Sequence, residues 1–185
     1  MSTVSRTPYL VGKAFRSFLF ASVLTAAASQ IGALIDGLML SHFINEEAMS
    51  AVNISSPVIQ TLFALCILIG TGGSVLAGMA IGNHRKSEAS GIFSVVTVTA
   101  VGLGIVLGAA GMIFISPLLR LLCPDASLQD YTSQYLMVML PGAAIYMLMV
   151  VTQMFVTLDG EPRRVTAAVT TCMVVNIVLD YIFIV

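Results

Sequence analysis

Two acidic residues, Asp36 and Asp180, interrupt stretches of sequence that otherwise carry no charge. Asn176 precedes Asp180 by four positions, a spacing that puts both side chains on one face of a helix. A carboxylate in hydrocarbon costs about 2.5–3.5 kcal/mol on insertion scales, so a residue of this kind faces a water-filled path or a partner. Every Lys and Arg lies outside these apolar stretches, so neither acid has a cationic partner within them. What remains is an oxygen-rich set of two carboxyls and one amide. Oxygen ligands suit a hard cation or a shared proton. Two carboxylates held close together resist ionising together, and one small positive guest relieves them. Asp36, Asn176 and Asp180 are therefore the expected cation- or proton-binding residues, with H⁺ or Na⁺ as the guest.

Other polar or soft side chains within the apolar stretches carry a weaker signal. Gln30 and Gln153 are candidates to line a substrate cavity, and so is Met147, one of a cluster with Met137, Met139, Met149 and Met154. Methionine adapts to varied apolar shapes. Packing between helices would use the same residues equally well. Cys66, Cys123 and Cys172 make no disulfide framework, and His42 and His84 have no metal-ligand spacing. The chain has no P-loop, no His-Glu-x-x-His and no nucleophile elbow. The expectation is a protein that is not an enzyme and needs no cofactor beyond a coupling ion. Any transport would then draw on an ion gradient.

The elements that must position these residues are membrane spans. Hydrophobic residues make up 58% of the chain and charged residues 9%, against about 25% charged in soluble domains. Mean hydropathy is +1.00. Apolar stretches run roughly over 17–40, 52–82, 91–116, 131–156 and 165–185, each near the length of about 20 residues that a spanning helix needs. The chain has 8 Lys and Arg, and all but Arg120 fall in alternate gaps: Arg6, Lys13 and Arg16, then Arg85 and Lys86, then Arg163 and Arg164. Insertion retains Lys/Arg-rich short loops on the cytoplasmic side, which predicts a cytoplasmic N-terminus and five crossings. Glu46 and Glu47, beside Asn45, then link spans one and two outside, and a longer outer connection runs from Pro117 to Asp130. Gly160 and Pro162 break the chain on the inside. No basic stripe suggests nucleic acid; lipid is the expected surround.

Depth brings the acids together. Asp36 lies near the outer end of span one, and Asp180 lies about 22 Å along span five at about 1.5 Å per residue. Both fall in the outer half of the bilayer. Span two is rich in glycine, including Gly70, Gly73 and Gly78, and Gly104 and Gly108 form a small-xxx-small pair in span three. Such pairs let helix backbones approach closely. The last span ends at Val185 with no polar flank, which leads us to expect further spans and a larger, transporter-like protein.

Four segments, in this order, resemble the multidrug and toxic compound extrusion (MATE) family. They are residues 35–41 with 45–52 and Pro57, residues 70–74 leading to Gly82 and Asn83, residues 158–163 with their Asp159-Gly160-Glu161-Pro162 turn, and residues 176–183. The resemblance implies an all-α membrane protein, with five transmembrane helices forming most of one six-helix lobe of a twelve-helix transporter. It implies ion-coupled efflux, by H⁺ or Na⁺, of cationic or amphipathic drugs and toxic compounds. The partners it implies are small substrates, membrane lipid and a C-terminal lobe of the same protein. It places the chain as a multi-pass protein of the cytoplasmic (inner) membrane. It also assigns a helix-one Asp and a helix-five Asn-x-x-x-Asp to a cation site, positions that correspond to Asp36, Asn176 and Asp180. Helix six and the second lobe fall outside these 185 residues, and no proline stands between Pro8 and Pro57 to bend helix one. A lipid-linked oligosaccharide flippase of related plan and a truncated, non-transporting membrane protein are the alternatives.

Overall fold

The computed structural model describes residues 7–43, 46–123 and 126–184. Arg6, Asn45 and Val185, which the sequence reading uses, lie outside the described residues. Among the described residues the chain forms seven helices and no strand: α1 (Thr7–Phe43), α2 (Glu46–Gly82), α3 (Lys86–Ile113), α4 (Ile115–Leu122), α5 (Ala126–Met139), α6 (Ala143–Leu158) and α7 (Pro162–Ile184). Helices dominate because a chain this apolar must satisfy its own backbone in lipid, and a helix does so within one segment. Large apolar side chains such as Phe20, Val98, Ile113 and Phe183 point outward and exposed, as a lipid-facing surface requires.

Four segments are long and apolar enough to cross a membrane: Phe18–Phe43, Glu46–Gly82, Lys86–Ile113 and Pro162–Phe183. A fifth is a pair, Leu128–Met139 and Ala143–Leu158, bent by 56° at a short break. The sequence reads 131–156 as one continuous span; the structure breaks it at Pro141 and Gly142. Proline lacks an N–H and its ring clashes with the preceding turn, which kinks or breaks a helix. Helix α2 continues through Pro57, whereas at Pro141 the following Gly142 adds a second weak helix former and the helix ends. The outer connection also differs from the expected loop. It folds into the short helix α4, which buries Leu119 against Leu136 and Leu140. At the start of α2, Glu46 and Glu47 form the first turn rather than a linker, where acidic side chains complement the helix dipole.

Helix directions follow from the contacts. Helices α2 and α3 are antiparallel: Ala77 and Ala80 meet Ala89 beside the connecting turn, and Gly73 meets Val96 further along. Helices α3 and α6 are antiparallel and very close. A Cβ on Gly104 would stand 2.6 Å from Ala144 Cα, and one on Gly108 would stand 2.5 Å from the Leu140 carbonyl oxygen. The buried cluster of Cys66, Val96, Ala100, Met147, Val150 and Val151 seals α2, α3 and α6 into one bundle. Helix α7 leaves the turn at Gly160, whose φ of +86° favours glycine, and returns to pack on α1.

The α1–α7 pair is parallel and in register. Thr25 meets Thr166, 141 positions later. Gly32 meets Met173, whose Cγ lies 3.2 Å from where a Cβ would stand on the glycine; 173 − 32 is again 141. This parallel packing decides the status of the bent pair. With α2 and α3 each reversing direction, α7 can run alongside α1 only if α5 and α6 together cross once. The chain is a helical multi-pass membrane protein with one broken span.

Candidate functional site

Residues 21, 25, 28, 32 and 36 recur at steps of four, three, four and four, so they line one face of α1. That face is small at Ala21, Ala28 and Gly32, all buried, and it lets α7 come close. Asp36 ends the stripe. On α7, Asn176 and Asp180 lie at the same level.

The structure brings all three expected ion-site residues together. With its amide oriented to donate, Asn176 Nδ2 lies 2.7 Å from Asp36 Oδ1 and 3.2 Å from Oδ2; the orientation follows from the hydrogen-bond network. Asp180 lies beside Asp36, close enough for the two carboxyls to interact. Asp36 and Asp180 are half-buried, and Asn176 is exposed. An ionised carboxylate only accepts hydrogen bonds. A direct Asp36–Asp180 bond therefore needs a proton on one carboxyl, or a cation between them in its place. Among the described residues no group of three or more His, Cys, Asp or Glu side chains gathers to hold a metal ion. Two carboxyls and an amide would leave the remaining positions of a Na⁺ shell to carbonyls or water.

Sequence reading missed one neighbour. Tyr135, on α5, lies near enough to Asp36 to interact with its charge. A tyrosine in an apolar stretch reads as packing, and nothing in its spacing links α5 to α1. Only the tertiary fold makes that connection.

The three candidate substrate-lining residues part company. Gln153 lines a groove of about 510 Å³ between α1, α2, α6 and α7, along with Ser22, Thr25, Thr71, Ser74 and Thr157. Gln30 is exposed on α1 and does not line this groove. Met147 is fully buried in the α2–α3–α6 cluster, with Met154 taking the place at the groove wall instead. The groove lies toward the end of the bundle marked by Pro162 and Val165, whereas the two acids lie toward the other. Its lining has hydroxyls, one amide and apolar side chains, and no ionisable group.

Known proteins share this fold. A model of the MatE family matches residues 21–182. The multidrug export protein MepA of Staphylococcus haemolyticus is 24% identical over 93% of this chain and 38% of its own length. An FAD transporter of Shewanella oneidensis is 26% identical over 80% of this chain and 32% of its own length. A solved structure of a multidrug resistance MATE family transporter of the MOP superfamily, in an outward-facing conformation, superimposes with a TM-score of 0.86 at 25% identity. It covers 93% of this chain, which spans 38% of that structure. The chain thus spans about a third of the length of the relatives it matches.

Proposed function

This chain belongs to the MatE family of membrane transporters, and from that premise we propose that it forms part of an ion-coupled exporter of cationic or amphipathic compounds. The observation that carries the reading is the meeting of Asp36 with Asn176 and Asp180 across the α1–α7 interface. In this reading H⁺ or Na⁺ binds between the two carboxyls and is the only accessory the protein needs. With the ion bound, Asn176 and the carboxyls hold α1 against α7. When the ion leaves, two carboxylates repel across the same gap and the pair loosens. Movement of one charge through 100 mV supplies about 2.3 kcal/mol, enough for roughly 50-fold accumulation.

Alternating access needs two bundles moving about a central site, so the exporter requires a second lobe beside this one. The Lys/Arg-bearing ends, at Arg85–Lys86 and Arg163–Arg164, face the cytoplasm in this reading, and the membrane is the inner one of a bacterium. The uncharged groove suits apolar or weakly polar parts of a cargo. A dinucleotide cargo, as named for the Shewanella relative, is the second reading, which the sequence likeness to that protein supports. Phosphates would call for cations, and the groove lining contains none, so the first reading is preferred.

The test is direct. Asp36→Asn and Asp180→Asn, each placed in the full-length protein, are expected to abolish drug resistance at normal abundance in the membrane. Undiminished resistance in both variants would overturn the coupling site.

A further inference from the structure

The molecule carries a second polar contact between α1 and α7, far from the acids. Thr25 Oγ1 donates to its own helix at the Ala21 carbonyl, 2.8 Å away. The same oxygen lies 2.9 Å from Thr166 Oγ1. Thr166 Oγ1 in turn reaches the Ala21 carbonyl across the interface at 3.1 Å, and its own Pro162 carbonyl at 3.1 Å. Other hydroxyls such as Ser29, Ser50, Thr61 and Thr152 bond back to their own helix. Thr25 and Thr166 are different, because their hydroxyls meet each other and one reaches a carbonyl of the opposite helix.

The place of this contact matters. Thr25 and Asp36 are eleven positions apart, three turns and about 16 Å at about 1.5 Å per residue, which returns them to one helix face. Thr166 and Asn176 are ten apart on α7, about 15 Å. Between the two polar contacts lies only a smooth seam, with buried Ala28 on α1 and Gly32 against the flexible Met173. Small residues permit close approach, and among the described residues no further cross-helix hydrogen bond along this stretch holds the register. In lipid no hydrophobic drive fixes one helix register over another, and hydrogen bonds and packing must do so. A shift of α7 by one residue would carry Asn176 about 1.5 Å along the axis, enough to break its 2.7 Å bond to Asp36.

We infer that Thr25 and Thr166 form a register clasp whose function is to set Asp36 opposite Asn176 and Asp180, making both threonines positioning residues for ion affinity. The inference rests on the ion-site reading above. The clasp touches neither the ion nor its ligands. It acts through the rigid, parallel rise of the two helices, and its loss lets the acid pair sample misaligned arrangements that bind the ion weakly.

Testing uses the full-length transporter in proteoliposomes, with drug efflux measured as Na⁺ is titrated at fixed proton concentration and the reverse. Thr25→Val and Thr166→Val keep shape and remove the hydroxyl. Each is expected to raise the half-saturating ion concentration about threefold to tenfold with membrane abundance retained; Thr166→Val, at a residue outside the groove lining, is expected to keep the maximal rate as well. Thr25→Ser and Thr166→Ser should restore the original value. The double valine variant should shift no further than Thr166→Val alone, because that change already removes both cross-helix contacts, to Thr25 Oγ1 and to the Ala21 carbonyl, whereas Thr25→Val leaves the second in place. Thr25→Cys and Thr166→Cys, with weaker donors, give a second series should a valine variant fail to accumulate. Unchanged ion dependence in the valine variants, or fully additive shifts, overturns the clasp; if Asp36→Asn still abolishes efflux, the ion site stands without it. If Asp36→Asn leaves efflux intact, both inferences fall together.

Discussion

Asn176 is the residue on which the acid pair depends for orientation. Its amide spans both oxygens of Asp36, and replacing it with leucine leaves that carboxyl without its donor. A hydrogen bond to a charged group is worth about 1.5–3 kcal/mol, less at a half-buried carboxyl such as Asp36. Under the proposed ion-coupled reading, Asn176→Leu placed in the full-length protein is expected to weaken efflux at least tenfold, read from initial rates, and Asn176→Ser to recover part of it. Met147 makes the opposite case. It is wholly enclosed among Cys66, Val96 and Val151, so Met147→Ala should cost about 2–5 kcal/mol of stability. Thermal unfolding in detergent would register that loss, while the protein that remains folded keeps its substrate profile. The acids were legible in the sequence because charge in hydrocarbon is expensive and needs a reason. The threonines were not. A hydroxyl in an apolar helix can always bond to the carbonyl four residues back, as Ser55 and Thr132 do here, so its type says nothing about which ones cross an interface.

At the scale of helices, close approach divides glycines that look alike in sequence. Gly102 and Gly104 are two positions apart on α3. A Cβ on Gly102 meets nothing within 4 Å, whereas one on Gly104 would collide with the α6 backbone at Ala144. Gly102→Ala should therefore stabilise the protein by about 0.5–1 kcal/mol, the helical penalty of glycine removed. Gly104→Ala should destabilise it by about 1–3 kcal/mol through overpacking. A paired measurement of melting temperatures checks the sign of each. The apolar stretches showed where the helices are, since hydrocarbon thickness sets a length that hydropathy reveals. They hid the break in the fourth span, because Pro141 and Gly142 sit inside an unbroken apolar run and interrupt geometry without interrupting hydropathy. The same blindness made the outer connection look like a loop. Leu118, Leu119, Leu121 and Leu122 there belong to a short helix, too short for any spanning criterion to find.

For the whole molecule, the parallel pairing of α1 with α7 fixes which ends share a side. The turns at His84 and Gly160 lie at one end of the bundle, and α4 with Arg120 lies at the other. Reporter domains inserted at His84 and at Gly160 should give the same cellular signal, and one at Arg120 the opposite signal. If α5 and α6 dipped into the membrane and returned, His84 and Gly160 would instead report from opposite sides.

The 141-residue offset between Thr25 and Thr166 also bears on how the protein is made. At a synthesis rate of about 5–20 residues per second, the first helix enters the bilayer about 7 to 30 s before the last one exists. During that interval Asp36 stands in or near lipid with neither Asn176 nor Asp180 to receive it. The newborn helix must wait beside the insertion machinery, ride high enough to reach headgroup water, or borrow another partner. A nascent chain stalled before residue 162 should accordingly crosslink from position 36 to lipid or to the insertase, and lose that crosslink once the final helix is released.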